Sequence, residues 1–303
     1  MLEQKNLKDL LPGDEFTLFL LVNKSEIKTA KNGRPYLNLE LRDTTAILPA
    51  KMWDKFESTA KELNEGTVVK VNGQIEEFGG TSQIKIDKIR ISKEDDNVST
   101  EDFLPKSKRP IDEMQKELFV IINSIQNPYL KQLLKNIFTE NNLDKYLKTP
   151  AGKSWHHSYL HGLIEHTLEI VRICELMSTI HSEINRDLLI SGALLHDFGK
   201  TEELTFETSF DYSDKGKLIG HIMIGALAVE KEASSIPGFP EELKNQLIHL
   251  ILSHQGKLEF ASPVEPKTLE AIVLYQADEL SAKTNAYKLA IEVDKNKTGK
   301  WTR

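Results

Sequence analysis

An apolar segment that ends in two polar residues constrains the fold of this chain more than any other stretch. Residues 191–195 are typical of a buried helix, yet the chain continues into His196 and Asp197, and Lys200 follows one turn later. A buried helix has no structural need for this doublet, whereas an imidazole beside a carboxylate suits a divalent transition metal. The segment therefore predicts a metal site that other helices must complete.

The histidines of the chain are confined to its second half. All nine lie beyond residue 155. Four stand in helical contexts at the spacing of successive helices: His166, His196, His221 and His254. Asp278 follows in the apolar stretch 271–280, where an unpaired carboxylate would be costly to bury. Because the core of a helical bundle is a usual place for a metal site, we expect these residues to converge there.

The first third of the chain has the pattern of β structure. Leu37, Leu39 and Leu41 alternate with polar residues, which predicts a strand over 36–42. We expect four further strands and one helix: strands 15–22, 45–52, 67–75 and 84–91, and a helix over 54–64 capped by Asp54. Three strands, a helix and two strands is the order of an OB-fold barrel, which often binds single-stranded nucleic acid but also serves protein contacts.

Aromatic and basic residues of this barrel form a candidate groove for nucleic acid. The residues that we assign to it are Arg34, Tyr36, Phe78, Lys85 and Lys88. Phe78 lies beside two glycines in a loop and is the best candidate for stacking, whereas we expect Trp53 in the core. Stacking contributes about 1–3 kcal/mol per base, so one or two exposed rings suffice for weak, sequence-tolerant binding.

Changes in pattern along the chain predict a multidomain protein. We predict an all-β OB-fold domain over 1–92, a polar linker over 93–110 and an all-α region over 111–303 with its core at about 155–290. Within the last region the apolar spacing predicts helices at about 111–126, 129–139, 160–181, 184–198, 218–234, 240–255 and 265–290. A short strand segment is expected near 204–210.

Composition narrows the class of protein. Hydrophobic residues make up 39% and charged residues 28%, as in ordinary globular proteins. No apolar run approaches the roughly 20 residues that span a bilayer, so we expect no membrane partner. Cys174 is the single cysteine, which excludes an internal disulfide, and we expect a cytoplasmic protein. The net charge of −7 argues against a surface that coats nucleic acid.

The residues singled out above resemble a known family. The H…HD…D signature of the HD-domain metal-dependent phosphohydrolases matches His166, His196, Asp197 and Asp278. Two further histidines, His221 and His254, match those of the two-metal members. An OB-fold ahead of such a domain is similar to the YhaM-type 3′→5′ exoribonucleases of Gram-positive bacteria, and the resemblance covers nearly the whole chain.

This resemblance implies hydrolysis of phosphodiester bonds from the 3′ end of single-stranded RNA, with single-stranded DNA as an open alternative. The implied cofactor is Mn²⁺, with Co²⁺, Fe²⁺ and Mg²⁺ as alternatives. One ion would be held by the H…HD…D residues, and a second near Asp197, His221 and His254 would activate a water. Lys200 would neutralise charge on the phosphate, and His157 would donate a proton to the leaving oxygen.

One position departs from the family pattern. Gln255 stands where members often carry the second of two adjacent histidines, and an amide is a poor ligand for a transition metal. The sequence therefore leaves one or two ions per chain open.

Two other functions also stay open. The first is an HD hydrolase of free or cyclic nucleotides, which leaves the OB-fold unexplained. The second is a non-catalytic single-strand-binding factor, against which His196, Asp197 and Asp278 argue. A homo-oligomer through the apolar stretches of 111–140 is a further open alternative.

Overall fold

The protein divides into two compact units. The computed structural model describes residues 4–206 and 209–294. The first unit runs to Pro105 and also includes Ser209, and the second takes in the other described residues from Lys106 onward. Residues 295–303 of the predicted all-α region lie outside the described residues. The first unit is a β-barrel and the second is helical, so the predicted fold class is confirmed.

Five strands of the first unit form a closed barrel. They are β1 (Glu15–Thr29), β2 (Pro35–Arg42), β3 (Ile47–Met52), β4 (Val68–Phe78) and β5 (Thr81–Ile91). Strand β1 pairs antiparallel with β2 and β4, and β3 pairs in parallel with β5. The order β1-β2-β3-β5-β4 closes on itself, as in an OB-fold.

The barrel is filled by the inward residues of each strand. Leu37, Leu39 and Leu41 of β2 are fully buried, as their alternation predicts. Gly73 of β4 lies so close to β5 that an added Cβ would collide with the backbone oxygen of Lys85. The ladder shifts register at this glycine, which lets β4 bend around the barrel.

Two predicted elements of the barrel unit differ in extent. Strand β1 runs to Thr29 rather than residue 22, because its second half pairs with β2 in a polar hairpin that leaves no apolar pattern. The helix expected over 54–64 is reduced to α1 (Glu57–Ala60). Asp54 does not cap it, since its carboxylate pairs with Arg34 and the N-cap position is held by buried Phe56. The predicted cap was therefore wrong.

The segment that follows β5 is folded. Two 3₁₀ turns form at Glu94–Asp96 and Thr100–Phe103, and Phe103 and Leu104 at the end of the second turn are buried. Residues 93–105 of the predicted linker thus group with the barrel unit.

Helices make up most of the second unit. They are α2 (Ile111–Ser124), α3 (Pro128–Ile137), α4 (Glu140–Lys148), α5 (Gly162–Ile180), α6 (Arg186–Leu195), α7 (Lys200–Glu203), α8 (Asp214–Ile219), α9 (His221–Ser235), α10 (Glu241–Ser253) and α11 (Leu269–Asp294). A two-stranded hairpin of β6 (Leu204–Thr205) and β7 (Asp211–Tyr212) stands where a short strand segment was expected.

One apolar cluster joins most of the longer helices. Helix α5 packs against α6 and α11, and α10 packs against α6 and α9. Leu163, Leu189, Leu250 and Leu274 from four of these helices are fully buried in it. Among the residues that the structure describes, no helix combines the length and apolar character needed to cross a bilayer.

Candidate metal centre

The predicted ligands come together inside the helical unit, and most of them lie near helix ends. His166 is in the second turn of α5, and the doublet His196-Asp197 follows the last residue of α6. His221 begins α9, and His254 follows α10. Asp278 projects from the middle of α11. The side chains of the histidines at 166, 196 and 254 are fully buried.

Two glycines let the surrounding helices approach closely. An added Cβ at Gly192 of α6 would collide with Leu250 of α10. At Gly199, just beyond the doublet, a Cβ would collide with the carbonyl oxygen of His221. The absence of side chains at these positions brings the starts and ends of α6, α9 and α10 within reach of one another.

Asp197 lies at the centre of the cluster. Its Oδ1 is 3.4 Å from His221 Nε2 and 3.6 Å from His254 Nε2. Its Oδ2 is 3.3 Å from His196 Nε2 and 3.8 Å from His166 Nε2. The Asp197 carboxylate thus belongs to two sets of atoms that could each hold an ion, one with His166 and His196 and one with His221 and His254.

These separations match a shared ion. Atoms bound about 2.1 Å from one metal lie about 3.0 Å apart at right angles and about 3.4 Å apart in a tetrahedron. The distances from Asp197 to the ligating nitrogens, 3.3–3.8 Å, fall around these values. His166 Nε2 is also 3.0 Å from Asp278 Oδ1, on the side of the first set.

Backbone carbonyls fix the tautomers of two histidines. His196 Nδ1 lies 2.8 Å from the carbonyl oxygen of Ala193, and His254 Nδ1 lies 2.7 Å from that of Ile251. A carbonyl oxygen can only accept, so each Nδ1 must carry a proton. In the neutral ring the Nε2 atoms of both histidines therefore present lone pairs to Asp197.

Side chains fix the other two histidines in the same way. His221 Nδ1 donates to Glu203 Oε1 at 3.0 Å. Burial tends to raise the pKa of Glu203, but its bonds to His221 outweigh burial and lower it, which keeps the carboxylate charged. His166 Nδ1 lies 3.0 Å from Ser281 Oγ, whose own proton goes to Glu169. The hydroxyl oxygen can therefore accept from His166.

The result is a buried cluster of acceptors that face one another. His196 Nε2, His221 Nε2 and Asp197 Oδ1 are buried and have no hydrogen-bond partner. A buried acceptor without a donor is costly, and a cation between the rings and carboxylates removes that cost. Burial lowers the pKa of His166 and His254, whereas at His196 the charge of Asp197 outweighs burial and raises the pKa. The residues present therefore fit a divalent metal, consistent with the predicted cofactor class.

Lys200 is buried and lies against the same carboxylate. Its Nζ is 2.6 Å from Asp197 Oδ2. Burial tends to lower the pKa of Lys200, but Asp197 outweighs it and raises the pKa, so the ammonium stays charged. The side chain also lines a cavity beside the cluster. Its predicted contact with phosphate stays a prediction.

His157 is enclosed rather than exposed on its loop. Its side chain is fully buried, and its Nε2 lies 3.3 Å from Glu169 Oε2. Its backbone has a φ of +46°, and its N–H donates to Asn285 of α11. A non-glycine residue in this conformation needs support from its surroundings, and such positions cluster at functional sites.

The sequence did not indicate how close His156 lies to the centre. Its ring centroid is 4.8 Å from that of His166, and the two form a third possible ligand set with His157. Burial, with the nearby His166 and Lys200, lowers the pKa of His156 to about 2, so the ring is neutral. The loop 155–161 has no periodicity, so its burial pattern left no signal in the sequence.

The side chain of Gln255 contacts one of the predicted metal ligands, His254. Its Nε2 is 3.1 Å from His254 Nε2. Since the His254 Nδ1 proton is held by Ile251, the amide donates to the nitrogen that would otherwise ligate a metal. The position that departs from the family pattern thus contacts the second of the two ligand sets.

The barrel residues that the sequence assigned to nucleic-acid binding differ from one another in their exposure and in their neighbours. Phe78 is 69% exposed, with Lys51 Nζ at 5.0 Å from its ring centre. Lys85 stands opposite Lys51 across the β3–β5 pair, and Lys88 is exposed. Lys51 is absent from the sequence-based assignment, because its neighbourhood depends on the parallel pairing of two distant strands.

Two other barrel residues are engaged by neighbours. Arg34 pairs with Asp54, and Tyr36 stacks on Trp53 with ring centres 4.7 Å apart. Trp53, which we expected in the core, is only half-buried, since this stack lies at the end of β3.

Comparison with known proteins assigns the family. Residues 22–92 match the OB-fold nucleic acid binding domain, and residues 163–283 match the HD domain. The 3'-5' exoribonuclease YhaM of Oceanobacillus iheyensis is 36% identical over 280 residues, which cover 92% of this chain and 88% of that protein. The chain belongs to the YhaM family. The 3'-5' exoribonuclease YhaM of Bacillus subtilis is 33% identical over 290 residues, covering 96% and 91%. The family expected from the sequence is thus confirmed.

Proposed function

We propose that this YhaM-family protein is a metal-dependent 3′→5′ exoribonuclease. The observation that carries the proposal is the buried set of unpartnered Nε2 and carboxylate atoms around Asp197. The relatives that bear the name 3'-5' exoribonuclease YhaM and match almost the full chain support the same activity. The helical unit would hydrolyse the terminal phosphodiester, and the barrel would bind the single strand.

The chain's own residues define where ions would sit. One ion would be held by His166, His196, Asp197 and Asp278, and a second by Asp197, His221 and His254. Bound ions, which we propose are Mn²⁺, supply Lewis acidity toward the phosphoryl oxygen and lower the pKa of a bound water. Asp197, whose Oδ2 faces His196 and whose Oδ1 faces His221, would belong to both ligand sets.

Two further side chains would act on the substrate. The ammonium of Lys200, held by Asp197 at the cavity wall, would meet the negative charge that develops on the phosphate. His157 would donate a proton to the leaving oxygen. Glu169, whose Oε2 lies 3.3 Å from His157 Nε2, would hold the ring in place during this step.

The barrel offers a surface for a single strand. Phe78 gives one exposed ring with Lys51 beside it, and Lys85 stands opposite Lys51 across the β3–β5 pair. This combination suits stacking on a base together with attraction to the backbone. RNA is our proposed substrate, and a matched DNA strand tests the alternative.

A degradation experiment with Asp197→Asn tests this function. Wild-type protein with Mn²⁺ should shorten 5′-labelled RNA one nucleotide at a time, and Asp197→Asn should slow this at least about 100-fold because it removes the shared ligand charge. The matched control is Asp144→Asn, an exposed carboxylate of α4, which should cleave at the wild-type rate. Circular dichroism checks that both variants keep their helix content.

The same experiment separates the other functions. A hydrolase of free nucleotides would cleave mononucleotides or cyclic nucleotides and leave the labelled RNA intact. A non-catalytic single-strand-binding factor would retain RNA without shortening it, and elemental analysis would find no metal in the purified protein.

A further inference from the structure

A cavity of about 300 Å³ adjoins the metal-ligand cluster within the helical unit. The residues that line it include His254 and Asp278 of the cluster and three aromatic residues, Trp155, Phe260 and Tyr275. We propose that this cavity binds the base of the 3′-terminal nucleotide, with Trp155 as its main stacking surface. The proposal rests on the exonuclease function and names where the chain end is bound.

The aromatic rings at this cavity are available to a ligand. Trp155 is 60% exposed and Phe260 is 49% exposed, so both leave apolar surface in contact with solvent. Every nucleobase has a π face, and stacking on an aromatic side chain is favourable for any base. Trp155 therefore suits a site that must accept each nucleotide of a strand in turn.

The loop that carries Trp155 is tied in place. Ala151 N–H donates to the His157 carbonyl, and Ser158 Oγ donates to the Lys153 carbonyl at 2.7 Å. Asn285 of α11 accepts from the backbone N–H of His157 at 2.9 Å. The loop around Trp155 is thus anchored to α11 before any ligand binds, which reduces the entropy lost when the loop takes part in binding.

The position of the Tyr275 ring depends on a glycine. Gly256, with a φ of +80°, follows α10, and an added Cβ there would collide with the ring of Tyr275. Only glycine allows α11 to bring this ring against the chain at that point. This part of the cavity wall therefore depends on the Tyr275 ring of α11 and on the absence of a side chain at Gly256.

The size and position of the cavity indicate what it takes. Its volume lies at the lower limit of typical ligand pockets, about 300–1,000 Å³, so it suits one nucleoside rather than a stretch of strand. Because His254 and Asp278 line the same cavity, a base bound there places the adjoining phosphate beside the ligand cluster. A terminal nucleotide meets this condition with the least rearrangement of the strand.

Two RNA substrates test the proposal with full-length, Mn²⁺-loaded protein. One ends in a 3′-terminal adenosine, and the other ends in the same ribose without a base. Loss of one stacked base should reduce kcat/KM of the wild type about 10-fold. In Trp155→Ala the two substrates should be cleaved within about 2-fold of each other. Tyr287→Ala, an exposed ring of α11 outside the cavity, should keep the wild-type preference. Equal preference in Trp155→Ala and wild type would overturn the proposal.

A binding measurement without turnover separates this proposal from the enzymatic one. By calorimetry the wild type should bind adenosine 5′-monophosphate about 10-fold more tightly than ribose 5-phosphate, and Trp155→Ala should lose this difference. Absence of any difference in the wild type overturns the base site. If RNA is not shortened but the Trp155-dependent difference is found, base binding is supported and the exonuclease function fails.

Discussion

At the scale of single residues, the orientation of each histidine ring is set by a partner on the side away from the cluster. For His221 that partner is the buried carboxylate of Glu203, which accepts from both the Nδ1–H and the backbone N–H of the histidine. Glu203 thereby fixes the ring plane and the tautomer together. Such a partner affects metal binding without touching the metal.

Replacing Glu203 by alanine should therefore weaken metal binding by about 10- to 100-fold. Glu203→Gln keeps an oxygen that can accept the same bond, so it should recover most of the affinity. Titration of metal-free protein with Mn²⁺ in a calorimeter measures both. Wild-type affinity in the alanine variant would show that the ring of His221 does not depend on this carboxylate.

Gln255 offers a second prediction at this scale, since its amide contacts the ligating nitrogen of His254. Gln255→His replaces a poor ligand with a good one. It should raise the affinity for the more weakly bound Mn²⁺ ion about 10-fold. Electron paramagnetic resonance counts the ions bound at a limiting metal concentration. Gln276→His on the exposed side of α11 is the control and should change nothing. If the affinity for the second Mn²⁺ ion is unchanged in Gln255→His, residue 255 does not contribute a ligand.

At the scale of elements, one helix organises much of the site. Helix α11 contributes Tyr275 to the cavity, Asp278 to the ligand cluster and Ser281 to the Nδ1 of His166, at positions one turn apart. Asn285, a further turn along, holds the loop of His157. Any change in how α11 packs should thus affect the cavity and the cluster together.

Gly256→Ala tests this packing, because an added methyl group would push against Tyr275. The variant should lose about 1–3 kcal/mol of unfolding free energy beyond the cost of the positive φ itself. Gly238→Ala has a similar φ of +75° but only an ordinary contact, and measures that backbone cost alone. Urea denaturation followed by circular dichroism gives both values. In a Tyr275→Ala background the two glycine variants should cost the same, and a persistent difference would locate the strain elsewhere.

Periodicity predicted the long elements because their buried faces repeat. Helices α5, α6, α9, α10 and α11 begin and end within a few residues of expectation, and the barrel followed from the alternation of strands such as β2. Helix α4 was missed because it buries only Leu143 and Tyr146 in a polar sequence. Histidine tautomers and the aromatic cavity were also invisible. The tautomers depend on the geometry of individual hydrogen bonds, and the cavity depends on side chains from distant segments.

At the scale of the whole molecule, the two units have separate apolar cores, one around the barrel leucines and one among the helices. Deleting residues 1–105 should therefore leave the helical unit folded. The KM for a 20-nucleotide RNA should rise at least about 10-fold, because the charged and aromatic contacts of the barrel are lost. The KM for a dinucleotide should not change. Steady-state kinetics on both substrates measure the effect. Equal changes in the two KM values would show that the barrel does not bind the long substrate.

A full-length control for this deletion replaces only the exposed surface around Phe78. A variant with Lys51, Phe78 and Lys85 changed to alanine should reproduce the loss for the long RNA and spare the dinucleotide. If the deletion has an effect and this variant has none, the strand contacts a different part of the barrel.

The carbonyls that hold His196 and His254 have a consequence for natural variation. Both oxygens belong to the main chain at the close of a helix, where carbonyls lack a partner within the helix. No substitution can delete a main-chain oxygen, so the orientation of these two rings is determined by the backbone of the helix. The rings of His166 and His221 rely instead on Ser281 and Glu203, which a point mutation can remove. Among related sequences, substitutions should therefore disturb the orientation of His166 and His221 before that of His196 and His254.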